Sequence, residues 1–162
     1  MPDPTNIFSN HSLIENNGPS SPSNGQENNP PRGQMVILVV EDNIGNFKLI
    51  ARLLSTLGVQ CEWKTSGFEV VEFARQLPRI DLVLMDIRLP YEDGYEAMRK
   101  IRLSNRFTGI PIVAVTAVAD PEQLTRAKLA GFDGFIGKPL DPDRFPEQIT
   151  RILSGKAVWE YN

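Results

Sequence analysis

Three stretches of this chain are apolar almost without interruption and rich in β-branched residues: MVILVV at Met35–Val40, DLVLMD at Asp81–Asp86 and IPIVAV at Ile110–Val115. A strand with one face in water alternates polar and apolar side chains, whereas an unbroken apolar run suits a strand buried on both faces. Covering both faces takes helices between the strands, and the intervening segments have the right period. Phe47, Ile50, Ala51, Leu54 and Leu57 recur at helical spacing ahead of Gly58, which is placed to end a helix. Val59–Lys64 reads as a shorter second strand. Ser66-Gly67-Phe68-Glu69 has capping-box spacing before a helix carrying Val70, Ala74 and Leu77 that stops at Pro78. A loop through Pro90 and Gly94 leads to a helix bearing Ala97, Met98 and Ile101. Asp120-Pro121 and Asp141-Pro142 each place a capping acid before a proline at the first helical position, which predicts two more helix starts. Gly134–Gly137 reads as a short fifth strand, and Phe145, Ile149, Ile152 and Leu153 mark a last helix closed by Gly155. Five strands alternating with five helices predict a doubly wound α/β domain with a parallel sheet.

The segment before the first strand is of another kind. Of the 34 residues Met1–Gln34, 21 are Asn, Pro, Ser or Gly, with no sustained apolar period. Such a segment buries too little surface to offset its ordering entropy, so it reads as a disordered arm. His11, the only histidine, lies in it and reads as a solvated polar residue rather than a phospho-accepting or metal-binding one. The folded domain is expected over 35–154. Residues 155–162 form a short tail whose Trp159 and Tyr161 either pack back on the last helix or anchor a partner.

With 17 basic and 20 acidic residues the chain carries a net charge of −3, which offers no field for steering onto nucleic acid or an anionic membrane. No apolar run approaches the ~20 residues of a membrane span, and the N-terminus lacks the basic and apolar regions of a secretory signal. The single Cys61 makes neither an internal disulfide nor a cysteine-rich zinc site, and it reads as a small buried residue rather than a redox switch. A reducing, cytoplasmic location is expected, with no direct nucleic-acid or membrane partner.

In an open parallel sheet, ligands bind beyond the carboxyl ends of the strands. There the first strand ends in Glu41-Asp42, the third in Asp86, the fourth in Thr116 and the fifth in Lys138. The second ends in Lys64-Thr65-Ser66 and offers nothing comparable. Taken singly, each has a plain role: Glu41 and Asp42 as helix-capping acids, Asp86 or Thr116 satisfying a loop, Lys138 as a solvated cation. Together they place three carboxylates, a hydroxyl and an ammonium at one crevice. Crowded carboxylates resist ionising unless a cation offsets them, and oxygen-only ligands favour a hard ion such as Mg²⁺. A metal-filled pocket of this kind accepts an incoming phosphoryl group. Asp86, at the end of the expected central strand, is then the natural nucleophile, with Thr116 and Lys138 stabilising the transferred oxygens.

The motifs VVEDN (39–43), DLVLMDIRLP (81–90), DG (93–94), PIVAVTA (111–117) and GKPL (137–140) occur in this order and spacing. From about Val36 to Leu153 the chain resembles the receiver domain of two-component response regulators, of the single-domain type. The resemblance implies a flavodoxin-like (βα)5 fold with strand order 2-1-3-4-5. It implies Asp86 as phosphoacceptor, Asp42 as direct Mg²⁺ ligand, Glu41 acting through water and the backbone carbonyl of Arg88 completing the metal set. Lys138 corresponds to the phosphate-pairing lysine, with a cis bond to Pro139. Thr116 and the aromatic position at Phe135 correspond to the switch pair, although phenylalanine brings no hydroxyl and switching would rest on packing. Implied partners are a histidine kinase or phosphotransfer protein upstream, and a downstream protein read by the fourth helix, fifth strand and fifth helix. Dimerisation is left open. With only residues 155–162 after the last helix, no output domain is expected.

Other functions fit less well. A nucleotide or flavin carrier needs a phosphate-cradling loop where this chain has Glu41-Asp42-Asn43. An aspartyl-phosphate phosphatase needs a second aspartate two residues after the nucleophile, where Arg88 stands. The remaining alternative is a non-phosphorylated interaction module. Neither Arg88 nor Val118, beside the expected pocket, can orient an attacking water, so slow loss of a phosphoryl group is expected.

Overall fold

The computed structural model describes residues 33–161, so His11 and nearly all of the expected arm lie outside the described residues. In chain order the strands and α-helices are β1 (Val36–Val40), α1 (Ile44–Ser55), β2 (Gln60–Lys64), α2 (Val70–Gln76), β3 (Leu82–Met85), α3 (Gly94–Arg102), β4 (Ile112–Thr116), α4 (Pro121–Ala130), β5 (Gly134–Gly137), α5 (Arg144–Leu153) and β6 (Trp159–Glu160), with a 3-10 turn at Asn105–Phe107. All strand pairs are parallel, and the sheet runs β2-β1-β3-β4-β5-β6. The order expected for five strands is present, extended by a sixth at the β5 edge. Among the described residues no helix is long and apolar enough to cross a membrane.

The unbroken apolar runs have a simple cause. Successive side chains point to opposite faces of a strand. Leu38, Val40, Val83, Met85 and Ala114 therefore join Val70, Met98 and Ile101 in one core. Ile37, Val39, Leu84, Val113 and Val115 join Ile50, Leu54, Phe145 and Ile149 in the other. Each fully buried Leu, Ile or Val contributes roughly 1.5–3 kcal/mol of transfer free energy, so two filled faces fix which residues lie in the sheet.

Helix starts follow their caps with two exceptions. Asp120 Oδ1 accepts the Gln123 N–H at 2.8 Å, as Asp120-Pro121 predicts. At Asp141-Pro142 the regular helix begins only at Arg144, yet Asp141 Oδ1 accepts the N–H groups of Asp143 (2.9 Å) and Arg144 (3.1 Å). The capping box expected at Ser66 does not form: α2 begins at Val70, and the preceding Glu69 makes no side-chain capping bond. Gly67 instead sits against α3, where a Cβ would lie 2.5 Å from both the Ala97 Cβ and a Glu92 carboxylate oxygen. Tertiary packing decides that turn, and the capping pattern is coincidental.

Candidate functional site

The ladder continues one residue past the strand ends and sets the backbone of each polar residue. Asp86 N–H donates to the Val40 carbonyl at 2.9 Å, Glu41 N–H to Lys64 at 2.9 Å and Lys138 N–H to Thr116 at 2.9 Å. Side chains that would be mismatched inside the sheet thus begin where the cores end. The Lys138–Pro139 peptide bond is cis.

Lys138 is the hub of the cluster. Its Nζ donates to Glu41 Oε2 at 2.5 Å and to Asp86 Oδ2 at 3.0 Å. All three side chains are largely buried. Burial lowers the affinity of this ammonium for its proton, but the bonds and charges of Glu41 and Asp86 outweigh it and hold Lys138 above the usual lysine range. Asp86 Oδ1 accepts the Arg88 N–H at 2.9 Å. Glu41 Oε1 accepts the Asn43 N–H at 3.0 Å and the Asn46 side-chain amide at 3.4 Å. Asp42 is exposed, and no described residue hydrogen-bonds its carboxylate.

One carboxylate oxygen from each of Glu41, Asp42 and Asp86 lies within 4.8 Å of the others. Three carboxylates against one ammonium leave two negative charges, the charge of one divalent ion. The donor set is all oxygen, with a free carboxylate at Asp42, which suits Mg²⁺ rather than a soft metal. The residues present fit the ion that the sequence implies.

Thr116 is buried at the end of β4, in register beside Gly137, and faces a cleft lined also by Arg88, Tyr95, Val118 and Gln123. Its Oγ1 is 3.4 Å from the Val118 N–H. Phe135 lies wholly inside the core between the sheet and α4, pointing inward. Cys61 is half-buried, and burial followed by the charge of Glu62 pushes its thiol up to about 12, as an inert packing residue requires.

Several supporting residues escaped the sequence reading. Asn43 caps α1 by accepting the Asn46 N–H at 3.0 Å, which orients the Glu41-Asp42 pair. The second strand does contribute: Trp63, stacked on Phe47 with centroids 4.6 Å apart, donates its indole N–H to the Glu41 carbonyl at 2.8 Å. Asn43 before an apolar period was a visible capping signal. Trp63 had none, because its partner is a backbone atom just past the end of β1. Gly94 is also structural: a Cβ there would lie 2.5 Å from the Ile87 Cα and 2.8 Å from the Asp86 carbonyl.

The response regulator receiver domain family model matches residues 37–150. The chain is 37% identical over 123 residues to the peroxide stress-activated histidine kinase mak1 of Schizosaccharomyces pombe, a match covering 73% of this chain but 8% of that kinase. It is 35% identical over 117 residues to the polar-differentiation response regulator DivK of Brucella anthropi, covering 72% of this chain and 94% of that one. Among solved structures, the receiver domain of a Pseudomonas aeruginosa sensor histidine kinase, with magnesium coordinated in its active-site cleft, is 35% identical with a TM-score of 0.64. That match covers 75% of this chain and 95% of the other. The sheet order, the acidic cluster and these matches agree: the chain belongs to the response regulator receiver domain family.

Proposed function

We propose that this chain takes a phosphoryl group from the phosphohistidine of a kinase or phosphotransfer protein onto Asp86, and signals through protein contacts. The observation that carries the reading is the convergence of Asp86, Lys138 and the acidic pair Glu41-Asp42 at one end of the sheet. An Asp86 carboxylate oxygen attacks phosphorus in line. The new P–O bond forms as the donor's P–N bond breaks, and its electron pair returns to the imidazole nitrogen. Lys138, already tied to Asp86, moves with its positive charge onto the phosphoryl oxygens, and the Thr116 hydroxyl donates to one of them. Asp42, Asp86 and the Arg88 carbonyl would hold Mg²⁺, with Glu41 acting through water, and the ion would supply further positive charge to offset those oxygens. The Arg88 N–H holds Asp86 Oδ1, which leaves Oδ2 to attack once Lys138 moves off it.

A donor imidazole must reach Asp86, so the donor protein has to cover the rim of the crevice. Ile44 and Leu49 of α1 are exposed apolar side chains on that rim, and Leu49 lines a hollow with Lys138-Pro139-Leu140. They supply an apolar contact for that donor protein. Residues 35–154 act as the receiver unit in this reading, in the cytoplasm.

The test is incubation with acetyl phosphate or phosphoramidate and Mg²⁺, followed by intact-mass measurement. A gain of one phosphoryl group that vanishes in Asp86→Asn is expected. No modification of the wild type would overturn the reading in favour of a non-phosphorylated interaction module.

A further inference from the structure

The edge of β5, which the resemblance places at the centre of a readout surface, is covered by the chain's own C-terminal strand. Phe135 pairs with Trp159 and Ile136 with Glu160 in parallel register, and Phe135 N–H donates to the Val158 carbonyl at 2.8 Å. Three chemistries receive the three side chains. Val158 is fully buried in the α5-side core. Trp159 packs against the opposite core that holds Phe135, with Lys128 Nζ of α4 4.9 Å from its ring centroid. The Glu160 carboxylate is received by α5: Gln148 at 2.7 Å, Arg151 at 2.8 Å and Arg144 at 3.1 Å. Glycines let the backbone approach. A Cβ on Gly134 would lie 2.8 Å from the Val158 carbonyl oxygen, and one on Gly137 would lie 3.0 Å from the Tyr161 Cα.

These features make a receptor for a backbone strand with a defined side-chain order. The strand in it is only two residues long, and so short a pairing is marginal by itself. Covalent attachment holds it there, at an effective concentration on the order of millimolar. We infer that the β5 edge, flanked by α4 and α5, is a docking site for an extended segment of a partner protein whose consecutive side chains are apolar, aromatic and acidic, and that Val158–Glu160 occupies this site in cis until such a segment displaces it. Recognition is strand addition, with main-chain bonds supplying affinity and the three side-chain sites supplying specificity. The cations that receive Glu160 set the charge of the incoming segment. A second copy of this chain fits less well as the occupant. Ser154–Ala157 is a four-residue link tied at its root by Gly155 N–H to the Ile152 carbonyl and Lys156 N–H to Arg151, both 2.9 Å. Exchanging strands would unravel that root, whereas a partner strand needs only Val158–Glu160 to peel away. The site does not depend on Asp86 accepting a phosphoryl group.

The experiment uses the full chain, its Trp159→Ala/Glu160→Lys double variant and a fluorescein-labelled peptide with the sequence of residues 156–162. Anisotropy reads binding, and amide hydrogen exchange reads whether the β5 edge is open. The peptide is expected to bind the double variant at least tenfold more tightly than the wild type, and a peptide with lysine in place of the glutamate is expected to bind neither. Equal binding to both proteins, or none to a variant whose Phe135 amide exchanges freely, overturns the proposal. Retained protection of Phe135 in the variant also overturns it, since the strap would then be fixed. Should the double variant lose its helical circular dichroism, Glu160→Lys alone carries the same comparison. A concentration-dependent dimer of the wild type that Glu160→Lys abolishes would assign the edge to a second copy and overturn the partner reading.

Discussion

Lys138 and Asp86, 52 positions apart in the chain, meet at 3.0 Å because β3 and β5 end on the same side of a parallel sheet. The same ammonium bonds Glu41, so one cation serves two buried carboxylates. Removing it leaves both without a positive partner, and breaking a buried ion pair from one side costs about 3–5 kcal/mol. Lys138→Met is therefore expected to lose about 3 kcal/mol of unfolding free energy in the presence of EDTA. Mg²⁺ should restore more stability in the variant than it adds to the wild type, because the variant's cluster has more negative charge to neutralise. Urea denaturation with and without Mg²⁺ checks this, and equal Mg²⁺ effects in the two proteins would contradict it.

Gly94 is required by space rather than by its backbone angles. A Cβ there would meet the Ile87 Cα at 2.5 Å and the Ile87 carbonyl oxygen at 2.6 Å, backbone atoms that have no rotamer to change. The bond from Gly94 N–H to that carbonyl, 2.8 Å, ties the start of α3 to the loop leaving Asp86. Gly94→Ala is expected to cost about 3 kcal/mol, at the upper end for overpacking a buried site. It should also slow modification by acetyl phosphate, since the Asp86–Ile87 backbone must shift. Loss of stability with an unchanged modification rate would separate Gly94 from the site.

These two residues show how legible the chain was. Strands β1, β3 and β4, and the acids and threonine at their ends, could be read because burial on both faces leaves an apolar run that ends abruptly where polar chemistry begins. Gly94 was visible within a motif, but its reason was not, because a close approach between two loops has no period. β6 escaped for a related cause: Trp159-Glu160 is too short to alternate, and its partners Phe135, Gln148 and Arg151 come from other elements. Ser66-Gly67-Phe68-Glu69 failed in the opposite direction, since a local capping pattern was overridden by Gly67 packing beneath α3.

Arg88 and Val118 line the same cleft as Thr116. Neither carries a carboxylate or amide to align a water for attack on an Asp86 phosphoryl group, and alignment is a large part of such a rate. The phosphorylated wild type is expected to lose its label slowly. Arg88→Asn, which keeps the backbone N–H to Asp86 and adds a side-chain amide, should shorten the lifetime about tenfold. Rapid loss of the label from the isolated wild type, followed by mass spectrometry after donor removal, would contradict this.

The strap over β5 should loosen in acid. The hydrogen bond from Gln148, then that from Arg151, with the charges of Arg151 and Arg144, holds Glu160 below the usual carboxylate range against the opposing effect of burial. A depressed carboxylate pKa contributes stability that is fully present above the unfolded value, about 4.3 for glutamate, and is lost as pH falls through the folded value. The cations at this edge are Arg144 and Arg151, on the Glu160 carboxylate, and Lys128, over the Trp159 ring. Protection of the Phe135 amide, whose N–H bonds the Val158 carbonyl, is therefore expected to fall as pH drops below that unfolded value, before global unfolding. Glu160→Gln should weaken that protection at neutral pH and remove its dependence on acid. A wild-type Phe135 amide that stays protected down to the global unfolding transition would show that Glu160 does not hold the strap.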